Sequence, residues 1–316
     1  MQAPMPITSS PLPRLLLYLF AVMAGGALLA TPLFHLGQQT QAWLADTSLG
    51  DSGPGRWLLS EIKRAHFTRY FNRAVLISAL LFIWPCLRGL RLQRDRLPSW
   101  NISATALKSF GMGFSLAAGL LLLMGFLFIQ CGAYQLRPSP GWWKLGEPIT
   151  AALGASLVEE FFFRALLLGL LLGSMPRRLA VFWAVFIFAI VHFLKPPEGW
   201  QISDDQITWT SGFVVLGQMA LGFSDIQFLL AEFATLAAVG WALTQARLRT
   251  GALWAGIGLH AGWVFGLKWF SGLTFHLKGW LPWIGPNLKV GLVPLAVVLV
   301  TGWLLLQLLP RDQETR

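Results

Sequence analysis

A chain of 316 residues with 55% hydrophobic and only 12% charged side chains has about half the charge density of an ordinary soluble domain, and too little polar surface for a soluble fold of this length. Soluble enzyme, nucleic-acid binder and disordered scaffold are excluded, leaving a polytopic membrane protein. The formal net charge of +10 falls in short loops between apolar runs, where Lys and Arg fix orientation and meet anionic headgroups. The expected partners are therefore membrane lipids and no nucleic acid.

About 20 apolar residues span a bilayer. On that measure the first helix covers 15–34, entered from Arg14. The opening MQAPMPITSS carries no basic n-region, so an uncleaved helix is expected and not a signal peptide. Residues 56–72 set Leu58, Leu59, Ile62, Phe67, Tyr70 and Phe71 among basic residues, the pattern of an interfacial amphipathic helix. A short second span follows over 73–88, its end arginines able to snorkel. Further spans are expected over 109–136, 148–173, 179–194, 226–246, 251–270 and 290–310. The stretch 209–223 is apolar but short and glycine-rich; it reads as re-entrant or interfacial, with a ninth span as the rival. Cys86 and Cys131 both lie in apolar stretches and read as buried inert thiols.

The expected fold class is all-α: a polytopic transmembrane helical bundle of about eight transmembrane helices with one interfacial helix. Its divisions are 1–147 (helices 1–3 and the interfacial helix), 148–270 (a core carrying the chemistry) and 271–316 (a loop and the last helix). Orientation follows the Lys/Arg bias. Arg88, Arg91, Arg94, Arg96 and Lys108 follow the second helix, Arg177 and Arg178 the fourth, Arg247 and Arg249 the sixth, and Arg311 the eighth. Eight helices put all four groups on the cytoplasmic side, with both termini inside. The acidic Glu198, Asp204 and Asp205 then lie outside, whereas the basic loop 35–72 is an exception to the rule. A ninth span would invert everything downstream.

An ionisable side chain at bilayer depth is disfavoured by at least about 2.5–3.5 kcal/mol and is functional by default. The expected spans place Glu159, Glu160, Arg164, His192, Glu232 and His260 there. Glu160 and Arg164 are four apart on one helical face and can neutralise each other. Glu159, rotated about 100° away, has no cation in its own helix and suits a general base or acid. His192 ends the fifth helix one turn after Phe188. His260 sits mid-way along the seventh, among Gly256, Gly258 and Gly262, which allow another backbone to approach closely. A lone transmembrane His is as often a hydrogen-bonded core residue as a functional one. One Glu and two His on three separate helices favour a site. Glu232 has no second motif residue beside it, and a structural hydrogen bond is the rival reading.

Glu159–Glu160–xxx–Arg164, Phe188–xxx–His192, and His260 after RTGALW (249–254) together resemble the three motifs of the CPBP family. These are intramembrane endopeptidases that include CAAX prenyl proteases of the Rce1 type. The resemblance covers roughly 148–265. It implies peptide-bond hydrolysis within the membrane, with a membrane-associated protein or peptide as substrate. Glu159 and His192 would activate water, His260 would face the scissile carbonyl, and Glu160, Arg164 and Phe188 would support them.

The family also has an Asn four residues after the third-motif His; here that position is Val264, which can donate nothing. The Trp263 indole N–H is the nearest replacement donor. Two mechanisms stand open: a glutamate base without metal, which is favoured, and a zinc site with Glu159, His192 and His260 as ligands. HExxH is absent. Other classes are a catalytically reduced or inactive relative acting as a membrane binding or immunity protein, and a transporter. The latter predicts repeats that are not evident. The expected location is a bacterial inner (plasma) membrane, multi-pass.

Overall fold

The computed structural model describes residues 11–87, 96–194, 200–221 and 226–310. Arg88, Arg91, Arg94, Glu198 and Arg311 from the charge argument, and the first ten residues, lie outside them. The chain divides into two compact units, 1–91 with 193–224 and 92–192 with 225–316.

In the first unit, α1 (Pro11–Ala45) runs well beyond the expected 15–34 and carries Pro32 inside it. The expected interfacial helix is really two elements. Ser52 caps α2 (Gly53–Lys63) by accepting from the Gly55 amide, and Arg64 ends it. After a break at 65–66, α3 (Phe67–Leu87) begins. The reason is packing: Phe67, Phe71 and Ala74, spaced i, i+4, i+7, bury against Ala27, Ala30 and Phe34 of α1. That places Phe67 and Phe71 in a core between helices. In α2, Trp57 and Leu58 are exposed.

Val215 and Met219 of α8 (Ser211–Leu221) join the same cluster. At 1.5 Å per residue its 11 residues reach about 16 Å, half the hydrocarbon thickness.

The second unit holds α4 (Ala104–Gln130), β1 (Tyr134–Leu136), α5 (Gly146–Glu160), α6 (Leu168–Leu172), α7 (Arg177–Val191), α9 (Ile226–Thr250), α10 (Trp254–Leu273), β2 (Thr274–His276) and α11 (Leu292–Leu308). The expected helix over 109–136 stops early. Gly132, at φ 75°, ends it in the left-handed region, and Tyr134–Leu136 then pairs antiparallel with β2, Tyr134 opposite His276. This short ribbon is an addition to a fold that is otherwise all-α, as expected. Cys131, at the helix end, is exposed and not buried as expected; the Cys86 side chain lies outside the described residues.

α10 is the central helix of this unit, lying against α4, α5 and α9. A methyl at Gly258 would collide with the Phe110 carbonyl, and one at Gly262 with that of Phe114. The glycines thus seat α4 and α10 backbone to backbone. α4 therefore packs against α10, one of the helices that carry the site.

Among the described residues, three helices are long and apolar enough to cross a membrane: Leu12–Ala45, Ala104–Gln130 and Leu229–Thr250. The chain is a helical integral membrane protein. Some of the other expected spans are too short for that measure: α7 has 15 residues and α11 has 17. The fourth is interrupted by a π-helical turn.

Candidate active site

That π-turn, Phe161–Leu167, follows directly on Glu159 and Glu160 and joins α5 to α6. π-turns inside helices are frequently found at functional sites. Here the turn carries Arg164, which is 2% exposed, and begins beside Glu160, which is fully buried.

Glu160 Oε1 accepts from Arg164 Nη1 at 3.0 Å and pairs with His260 Nδ1 at 2.9 Å. The second arm of the guanidinium, Nη2, donates to the Gly240 carbonyl of α9 at 3.4 Å. Its flat face lies over the Phe188 ring, 4.2 Å from guanidinium carbon to centroid, a desolvated cation–π contact. A buried ion pair is held by engaging its remaining polar groups; His260 and the Gly240 carbonyl engage two of them, while Glu160 Oε2 has no hydrogen-bond partner among the described residues.

Phe188 is the hub of the aromatic packing. Its centroid lies 4.5 Å from the His192 ring, 6.2 Å from the His260 ring and 5.1 Å from Phe163. His192 caps the C-terminus of α7, one residue beyond the helix. Its Nδ1 lies 2.7 Å from the Phe188 carbonyl, an acceptor only, so Nδ1 carries the proton and Nε2 faces outward bare. The same logic applies to His260, whose Nδ1 is committed to the Glu160 carboxylate.

Both free Nε2 atoms point at one group. Glu159 Oε2 lies 3.6 Å from His192 Nε2 and 3.7 Å from His260 Nε2. These separations exceed a direct hydrogen bond, and among the described residues that oxygen has no hydrogen-bond partner. Exposure divides the cluster into a front and a back. The Glu159 and His192 side chains are 31% and 28% exposed, while those of Glu160, Arg164 and His260 are 0%, 2% and 6%.

Trp263 follows His260 by one turn and is buried, and its Nε1 donor has no partner among the described residues. Gly256, His260 and Trp263 form an i, i+4, i+7 stripe, and the first two of these meet Glu160. Glu232 is not among the groups facing Glu159; its carboxylate accepts from Lys289 Nζ at 2.5 Å. Sequence reasoning passed over Lys289. The available signal was a lysine set between Leu288 and Val290 at the mouth of the last apolar run.

The donor set of Glu159, His192 and His260 suits zinc chemically, with each imidazole held through Nδ1 in the manner of metal ligands. Among the described residues no group of three or more His, Cys, Asp or Glu side chains is placed to hold a metal ion.

Fold and cluster together define a membrane-embedded helical protein with a Glu/His centre at one end of α7. Residues 141–266 match the family described as Type II CAAX prenyl endopeptidase Rce1-like, a family of proteases, and the match supports a CPBP/Rce1-like family for this chain. Searches of curated proteins and of solved structures return no significant match.

Proposed function

We propose that the protein is a metal-free intramembrane endopeptidase that hydrolyses a peptide bond in a membrane-associated protein or peptide. The observation that carries the reading is the Glu159 carboxylate oxygen, free of hydrogen bonds and facing two imidazole Nε2 atoms. Glu159 Oε2 itself is buried; once the site opens to substrate, a water bridges it to either Nε2 at about 2.8 Å. Glu159 takes its proton, His192 orients it, and the hydroxide adds to the scissile carbonyl. Glu159 then returns the proton to the departing amine.

The new oxyanion needs donors. His260 donates from Nε2 only when protonated, and the Trp263 indole N–H stands one turn away in place of the amide that Val264 lacks. Glu160 and Arg164 never meet substrate; they fix His260 and, through Phe188, His192. With eight spans and both termini in the cytoplasm, α7 runs outward and the site opens toward the outer half of the bilayer, in a bacterial inner membrane.

The test is hydrolysis of membrane-inserted peptides by the purified protein in ¹⁸O-water with a chelator present. One ¹⁸O in the newly formed carboxylate, at a rate unchanged by the chelator, supports the proposal. Activity abolished by chelator and restored by zinc would replace it with the zinc mechanism. No cleavage across a broad peptide library would leave a non-catalytic relative.

A further inference from the structure

Gly240 of α9 belongs to none of the motifs that carry the site, yet it meets the buried half of that site twice. Its carbonyl accepts from Arg164 Nη2 at 3.4 Å, and its missing side chain makes room for a ring. A Cβ at Gly240 would lie 2.9 Å from Phe188 Cδ1 and 3.6 Å from the Val185 Cα of α7. Carbon atoms in contact rest about 3.5–4.0 Å apart, so the approach to Phe188 leaves no space for a methyl.

A side chain at this position would force one of two movements, and each disturbs the site. The first is a swing of the ring. Phe188 is 1% exposed and hemmed in: the Arg164 guanidinium carbon lies 4.2 Å from its centroid, and the His192 and Phe163 rings stand at 4.5 and 5.1 Å. A ring pressed from the α9 side pushes on the His192 imidazole, whose Nε2 is 3.6 Å from Glu159 Oε2. The second movement is a retreat of α9, which draws the Gly240 carbonyl off Arg164. There is little room for it. Ala242, about 200° further round α9, faces Gly302 of α11 so closely that a methyl on that glycine would lie 2.7 Å from the alanine Cβ. Interiors packed to this density pass strain on to their neighbours.

We propose that Gly240 is a positioning residue of the site: by lacking a side chain it lets α9 close on Phe188, which sets the His192 ring against Glu159. The inference rests on the peptidase reading of the same site. Gly240 itself touches no substrate and acts through Phe188. A misplacement of about 1 Å at a reacting group lowers a rate by about 100-fold, so a single methyl suffices to expose the role.

The experiment compares wild type, Gly240→Ala, Phe188→Ala and the double variant Gly240→Ala/Phe188→Ala in reconstituted membranes, with Gly25→Ala as control. In the control a methyl likewise meets a phenylalanine ring, 2.7 Å from Phe82 Cε2, but between α1 and α3 in the other unit. Gly240→Ala should lower kcat about 10- to 100-fold with KM within about twofold of wild type. Gly25→Ala should leave both within about twofold, whatever it does to melting. Phe188→Ala removes the ring that the methyl strikes. Adding Gly240→Ala to it should therefore change kcat by less than about twofold, the non-additivity of two residues in contact. If Gly240→Ala alone fails to fold, melting of the double variant decides. It should melt no lower than Phe188→Ala; a double variant that melts lower, or does not fold, overturns the inference. So does a wild-type kcat in Gly240→Ala, a loss lying wholly in KM, an equal loss in Gly25→Ala, or the same loss with and without the ring. Each of these leaves the peptidase reading intact. A wild type that cleaves nothing overturns both.

Discussion

Glu159 and Glu160 are neighbours with different surroundings, and the difference decides what each substitution does. Glu160 is fully buried and shared between Arg164 and His260. Glu160→Gln strands a guanidinium at bilayer depth and should destabilise the fold by about 3–5 kcal/mol, so that thermal melting falls together with activity. A Glu160→Gln protein that melts like wild type would show that Arg164 is neutralised elsewhere. Val264 and Trp263 probe the other end of the reaction. If the oxyanion lacks one donor, Val264→Asn should raise kcat by about tenfold or more, and Trp263→Phe should lower it. Steady-state rates on one peptide decide both, and unchanged rates in the pair would remove Trp263 from the site. These residues were legible in the sequence because ionisable groups are expensive inside a bilayer and so stand out. Lys289 was not, because its partner lies 57 positions away and a lysine at the edge of an apolar run looks like an interfacial anchor.

At the scale of elements, the site depends on α10 being held close to α4. Gly262 faces the Phe114 carbonyl and the Ala117 side chain; a larger residue must push the helices apart, and His260, two positions earlier, moves with α10. Gly262→Leu is therefore expected to cost at least about 1–3 kcal/mol of stability and to cut kcat far more than a substitution at Gly111, which has open space. Melting curves and rates on the two variants separate the cases; equal effects would mean that the close approach is unimportant. The glycine spacing made this contact readable in advance. The π-turn at 161–167 was not readable, because FFFRALL satisfies helical periodicity whether its bonds run to the fourth residue or the fifth. The β1–β2 ribbon escaped for a related reason: three residues per strand are too few for alternation to register. The break between α2 and α3 escaped because Phe67 and Phe71 suit a membrane surface as well as the core they enter.

For the whole molecule, composition alone disclosed a helical membrane protein, while the number of crossings did not follow from it. Helices such as α7 and α11 are short for a bilayer, and α8 is shorter still, so hydropathy does not separate a span from a buried or re-entrant segment. Eight crossings predict a cytoplasmic location for reporters fused at Arg178 and after Pro310, and an outer location at Gly50 and Gln201. A reporter exposed outside after Pro310 would require another crossing. What unites the molecule is one claim, that its helices exist to hold a proton-accepting carboxylate between two imidazoles. The most direct measurement of that claim is the turnover of Glu159→Gln in reconstituted membranes, read beside its melting temperature. The glutamine keeps the shape and hydrogen-bonding capacity of the side chain but takes no proton. The account predicts cleavage lost and the melting temperature within a few degrees of wild type. Cleavage that persists in a well-folded Glu159→Gln protein would contradict it.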